Sequence, residues 1–442
     1  MAWPNPFHKK DENSRSAWGY NFQWTPRHMT SEQMHPLKFS YDILADKCLD
    51  ELDIISPVSN GELLRNHPRS HASEANTSSK RDLYVLLQEN SSQYENLGEL
   101  WEEVNTIPEW VDWHQVARGQ EIFYRYGGAA LAALAFQSLL GGMGAARVTE
   151  VLSRTGGFST KVARHRLYET TQHILQITQS LDSIKPGGAG HASSIRVRLL
   201  HAAVRRRILK LAKDRPSYFN VEELGIPIND LDCIATICTF SATLIWIGLP
   251  RQGIFLRRQE IIDYIALWRL VAYYVGTPSE SFETPEKAKA MMESILISEI
   301  KPTETSKILA NNIILSLQGQ APIYASKDFL VAHARWLNGN ALCDHLGLDR
   351  PSLYYWALVA GQCIFFMFVF YTNRSIRYLD QRKIKVLRRV FYAMFVESKT
   401  NGLGSESTFD FKYIPAFYLT TELGECPCLN ERRSPQNVRN AF

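Results

Sequence analysis

A histidine inside an apolar helical stripe is the residue whose type and setting most invite chemistry in this chain. Between Ser194 and Ala212, Val197, His201, Val204, Ile208 and Leu211 recur at intervals of four, three, four and three, which places them on one face of a helix. An imidazole on such a face either satisfies its ring nitrogens by hydrogen bonds within the core or ligates something. Ligation of haem iron is one such use, because a neutral imidazole in an apolar pocket suits the proximal position. Arg198 and Arg205 flank His201 one turn away along the helix, where guanidinium groups could neutralise two propionates. As surface arginines they would simply be solvated.

Other chemistries lack their motifs. A di-iron bundle needs two Glu-x-x-His helices, and the single match, Glu32 to His35, runs directly into Pro36. None of the seven cysteines sits in a Gly-flanked thiolate loop, and CxxCH for covalent haem attachment is absent. Cys426-Pro-Cys428 has no second half with which to build a zinc cage. The scattered cysteines read as reduced thiols in a protein facing the cytosol. The glycine clusters at 141–144 and 187–190 match neither GxGxxG nor GxxxxGKS. Arg205, Arg206 and Arg207 together could touch phosphate, but such a run more often marks a solvated helix face.

The elements that must position His201 are helical. Of the 442 residues, 45% are hydrophobic and 21% charged, ordinary usage for a folded protein and far from a disordered or disulfide-scaffold chain. The net charge of +4 carries no general signature of nucleic-acid binding. Residues 1–80 hold six prolines and polar runs such as HASEANTSSK, and read as an irregular N-terminal arm. The first residues, MAWPNPFHKKDENSR, carry charges where a signal peptide needs an apolar stretch, so ordinary secretion is not expected. Residues 81–346 read as a helical body with few alternating strand patterns. Helices are expected over 229–246, 257–276, 284–300, 303–318 and 325–346, with Gly276 a stop. The Ala- and Gly-rich run Ala129 to Ala146 is expected in the core.

Residues 347–442 open on the uncharged run Leu353 to Tyr371, 19 residues followed by Arg374, Arg377, Arg382, Lys383, Lys385, Arg388 and Arg389. About 20 apolar residues span a bilayer, and a basic cluster beside such a helix suits an anionic leaflet. Tyr354, Tyr355 and Gln362 are imperfect for lipid, so association with a membrane surface is expected over true spanning. The fold class is therefore all-α: one large helical domain, an irregular N-terminal arm and a C-terminal apolar helix.

Six segments, in this order, resemble one family: Pro108-Glu-Trp-Val-Asp-Trp113, Arg118-Gly-Gln120, Arg154-Thr-Gly156, Ile195-Arg-Val-Arg-Leu-Leu-His-Ala-Ala-Val-Arg205, Pro227-Ile-Asn-Asp230 and Leu267-Trp-Arg269. The family is that of the rubber oxygenases (latex clearing proteins) and mycophenolic-acid side-chain oxygenases. The resemblance runs over about residues 100–345. It implies an all-helical fold enclosing haem b and O2-dependent cleavage of an isoprenoid C=C bond to two carbonyl ends. It also implies a bound position at the endoplasmic reticulum membrane and a setting in secondary metabolism. Its His-x-x-x-Arg helix carries over to His201 as the iron ligand, with Arg205 beside it. Its distal Lys-Thr pair carries over to Arg154 and Thr155, where arginine stands for lysine. A guanidinium can donate hydrogen bonds but hardly serve as a base. The further distal arginine of the family falls on Val151, so its role is lost or has moved, with Arg147 the nearest substitute. Two other readings follow from the same residues: a haem enzyme of different oxidation chemistry, such as hydroxylation or peroxidation, or a non-catalytic, membrane-associated helical protein that binds lipid.

Overall fold

The computed structural model describes residues 11–57, 81–321, 323–409, 415 and 420–424. The Cys-Pro-Cys segment at 426–428 lies outside the described residues. Apart from one hairpin, β1 (Ser14–Ala17) paired with β2 (Tyr20–Gln23), the regular structure among them is helical, so the all-α expectation holds.

The N-terminal arm is less irregular than the sequence suggests. Its hairpin turns at Trp18 and Gly19, both at positive φ (51° and 75°), which is why a short polar-looking stretch forms a tight turn. The hairpin is pinned to the body. The Tyr20 hydroxyl donates to Glu293 Oε1 at 2.9 Å, and His28 Nε2 lies 2.9 Å from the other oxygen of the same carboxylate. Helix α1 (Ile43–Ile55) follows, capped by Asp42 and burying Ala45, Cys48, Leu49 and Leu52. The surrounding prolines conceal this helix in the sequence.

Helices α2 (Leu83–Asn90) and α3 (Glu95–Asn105) complete a small cluster with α1. Helix α4 (Trp113–Arg125) leads through α5 (Gly127–Ala132) into a π-helical stretch, Ala133–Leu140. The Ala129 to Ala146 run is thus interior, as expected, with Ala129, Ala133 and Leu140 fully buried. Then come α6 (Ala146–Arg154), α7 (Ala163–Thr178) and the long α8 (Ala189–Asp214) that carries His201. Helix α9 (Asp230–Phe240) passes into a second π turn, Leu244–Gly248.

Helix α10 (Arg258–Tyr274) is the spine of the core and packs closely on α4. A Cβ on Gly119 would meet the Asp263 carbonyl oxygen at 2.4 Å, so only glycine lets these two backbones approach. Gly276, at φ +70°, follows the end of α10 as expected. Helices α11 (Pro285–Ser298), α12 (Glu304–Leu317) and α13 (Lys327–Asn338) complete the body, and Gly339 at φ +83° divides α13 from the short helix Asn340–His345.

The apolar C-terminal run forms α14 (Leu353–Ser375) and the basic one forms α15 (Arg377–Tyr392). Both share the body's core: Phe370, Ile384 and Phe391 lie in the same buried cluster as Trp268 and Leu270. Among the described residues, two helical stretches are long and apolar enough to cross a membrane, Asp230–Gln252 and Leu353–Ser375. The first is a core helix, 61% buried over its apolar window; the second is only 17% buried.

Candidate functional site

The central feature is a cavity of about 750 Å³ with a mostly apolar wall. Its size falls in the range of pockets that enclose cofactors and small molecules. The π-helical stretch supplies Leu134, Phe136 and Leu139, α7 supplies Leu167 and Ile174, and α8 supplies Leu200, His201 and Val204. Widening a helix to the π form re-aims the side chains at that point, and such turns recur at functional sites.

His201 is enclosed by the protein yet keeps part of its surface open, because it faces the cavity and not bulk solvent. Neither ring nitrogen makes a hydrogen bond to any described residue. Burial, reinforced by the positive charges of Arg205 and Arg166, pushes the imidazole down to about 4, so it is neutral at pH 7. Among the described residues it is therefore not a hydrogen-bonded core histidine: its ring is neutral, lacks a partner and borders the cavity. Behind it, His173 on α7 is fully enclosed, bonds Ser193 Oγ through Nδ1 at 2.7 Å and is likewise held down to about 4 by burial and by His201.

The two arginines expected beside His201 do not line the cavity. Arg198 donates to Asp42 (2.6 and 3.0 Å) and to Glu103 (2.7 Å). Arg205 donates to Asp46 (2.6 and 3.1 Å) and to the carbonyls of Asp42 and Ile228, with its guanidinium over the Tyr41 ring. At 100° per residue, both lie on one side of His201, roughly 60° and 40° around the helix. That side faces α1, not the cavity. The signal that finds this arrangement is the acidic row Asp42, Asp46, Asp50 at intervals of four, matched by Arg198, Arg205 and Arg206.

The Arg154–Thr155 pair is split. Thr155 is buried and lines the cavity, its hydroxyl donating to the Leu152 carbonyl at 2.7 Å. Arg154 turns away: it donates to the Tyr218 carbonyl (2.7 Å) and to Glu150 (2.6 Å), and stacks over Tyr218 and Phe219. The cation beside Thr155 is Arg166, with Nη1 3.5 Å from Thr155 Oγ1. Its side chain lies against Gly157, where a Cβ would meet it at 2.5 Å. Arg164, two residues earlier on α7, also lines the cavity and among the described residues bonds only neutral groups: Tyr168, Gln320 and the Ala321 carbonyl.

Arg147 lines the wall as well, paired with Asp232 (2.8 Å) and Glu299 (3.0 Å), while Val151 is an apolar wall residue. Burial, with Glu299 adding to it, raises Asp232 to about 6 against the pull of Arg147. Among the described residues no group of three or more His, Cys, Asp or Glu side chains could hold a metal ion. The five cysteines among them are unpaired.

The fold and the cavity define an all-α protein built around an unpartnered histidine facing an apolar chamber. The family profile described as "ER-bound oxygenase mpaB/B'/Rubber oxygenase, catalytic domain" matches residues 124–368, more than half of the chain. The chain belongs to this family. It is similar to the rubber oxygenase of Streptomyces sp. (strain K30), at 22% identity over 268 residues. That match covers 58% of this chain and 62% of that enzyme, so the chain spans under two thirds of its curated relative. Its fold resembles that of latex clearing protein LCP in the closed state, with a TM-score of 0.58 and 16% identity over 80% of this chain and 91% of that one.

Proposed function

We propose that this chain is a haem b-dependent oxygenase that uses O2 to cleave or oxidise a C=C bond of a lipophilic, isoprenoid- or terpenoid-type substrate. The observation that carries the reading is His201, a neutral imidazole without a hydrogen-bond partner on the wall of a large apolar cavity. The residues present fit the cofactor. His201 would hold the iron, and the cavity-wall guanidinium of Arg164, which has no carboxylate partner among the described residues, suits an anionic substituent better than Arg198 or Arg205. When bound, haem supplies the site for O2 and the oxidation itself.

The protein's own contributions follow from the wall. Burial keeps His201 deprotonated, and the apolar side chains of the π-helical stretch exclude water from a greasy chain lying along them. Arg166, beside Thr155, supplies fixed positive charge where negative charge develops. Arg154 supports this corner from behind by fastening the end of α6 to Tyr218. The outward turn of Arg154 and the apolar Val151 favour a second reading, the same haem site running another oxidation such as hydroxylation. Isotopic O2 separates them, because cleavage by a dioxygenase labels both carbonyl ends and hydroxylation labels one hydroxyl of an intact product.

We also place the chain at a membrane surface, that of the endoplasmic reticulum. The exposed face of α14, with Tyr354, Leu358, Ile364, Phe365 and Phe368, and the basic α15 beside it support this.

Titration of purified protein with haemin tests the reading. The wild type is expected to turn red with a Soret band, and His201→Ala to weaken or shift it. A wild type that folds with full helical content and stays colourless would instead support a lipid-binding protein.

A further inference from the structure

A second histidine lines the same chamber, from a different helix than His201. His333 on α13 is 3% exposed, lines the cavity, and makes no hydrogen bond to any described residue; its Nε2 is wholly buried. The Phe136 ring stacks on the imidazole at 4.9 Å and the Phe329 ring meets it edge-on at 5.9 Å. Its surroundings are therefore hydrocarbon on both sides. Buried polar atoms in folded proteins are almost always paired, and an orphan at a cavity wall is the place where a ligand completes the pairing.

Charge decides the class of group that completes it. Burial pushes His333 down to about 4, so the ring is neutral and offers one donor and one acceptor. The cation two residues on, Arg335, is taken up by Asp344, Asn340 and the carbonyls of Leu348 and Asp349, and the neighbouring helix α14 offers the cavity wall a neutral group. Gln362 of α14 lines the cavity and makes no hydrogen bond among the described residues. Gln362 follows the helix face on which Val359 and Cys363 pack against Ala332, the neighbour of His333.

We propose that His333 forms a polar subsite that takes a hydroxyl group of an otherwise apolar ligand, on a different helix of the cavity wall from His201. The proposal rests on the reading of the cavity as a site for lipophilic molecules. It deepens that reading: the ligand class is a prenyl-type chain with a neutral polar end, and not a plain hydrocarbon. The hydroxyl would donate to or accept from the imidazole while the chain lies along the apolar wall.

The test uses the full chain and two probes of like shape, farnesol and farnesene, with binding measured by calorimetric titration in mild detergent. One hydrogen bond made in a dry cavity predicts that the wild type binds farnesol about tenfold more tightly than farnesene. His333→Phe keeps the ring packing and removes only the nitrogens. It is expected to narrow the gap to about twofold with farnesene affinity unchanged, and His333→Gln, which keeps a donor and an acceptor, to restore part of the gap. Equal binding of the two probes by the wild type would overturn the subsite, whatever the variants do. So would a folded His333→Phe that keeps the full preference. Failure of the wild type to bind either probe would instead remove the lipophilic cavity reading itself.

Discussion

Replacing Arg205 with alanine asks whether this arginine holds a cofactor or holds the protein together. Arg205 is 2% exposed and its guanidinium meets Asp46, two backbone carbonyls and the Tyr41 ring. Asp46 is only 17% exposed, and burial already lifts its carboxyl above the usual range even with Arg205 beside it. Removing the cation leaves a largely buried carboxylate with no compensating charge. Breaking a buried pair in this way costs about 3–5 kcal/mol, and the partial exposure of Asp46 puts the expected loss near the lower figure, about 3 kcal/mol. The loss depends on pH with a definite sign. In the variant the folded-state pKa of Asp46 rises further above its unfolded value, so the folded form suffers as pH rises through that pKa and is relieved when the acid is protonated. Urea denaturation at pH 8 and pH 5 should therefore show a smaller deficit at pH 5. The haemin-loaded variant should keep its Soret position. Unchanged stability together with a lost Soret band would refute the assignment of Arg205 to the α1–α8 clamp.

Three further outcomes follow from the site and the surface. His173 and His333 are held near 4 against an ordinary value of 6.5, so the folded state binds fewer protons than the unfolded chain between those values. Stability should be complete above about pH 6.5 and fall as pH drops toward 4, and substituting either histidine with leucine should flatten that slope in an acid denaturation series. In the ferric, haem-loaded protein, Arg166→Leu should weaken azide binding by about tenfold through loss of a nearby positive charge, while Arg154→Ala leaves it unchanged; the opposite pattern would return the role to Arg154. Flotation with vesicles containing phosphatidylserine should recover the wild type. Changing Arg382, Lys385 and Arg389 to alanine should weaken recovery by about 1 kcal/mol for each cation removed, and equal recovery on neutral vesicles would dismiss the electrostatic part.

Much of the fold was legible because long helices write a period of 3.6 into the chain. The stripe around His201 predicted which residue faces the interior, and the apolar runs at 129–146 and 353–371 predicted helices. What the period does not contain is direction around a helix relative to a partner not yet placed. Arg198 and Arg205 were at suitable offsets from His201, but the acids of α1 claimed them, and α1 itself was hidden among prolines. Adjacent residues Arg154 and Thr155 diverge because consecutive helical positions lie 100° apart, so one can face the cavity while the other faces out. Arg164, Arg166 and His333 carry no motif. They matter through tertiary placement, which only the folded chain reveals.

Helix α14 separates two unlike environments with the thickness of a single rod. Gln362 and Phe366 look into the chamber, whereas Ile364, Phe365 and Phe368 look outward. Two sets of requirements are therefore interleaved along one stretch of sequence without overlapping. Residues of one set can be exchanged to reshape the chamber wall, and residues of the other to alter the outer surface, each with little effect on its counterpart.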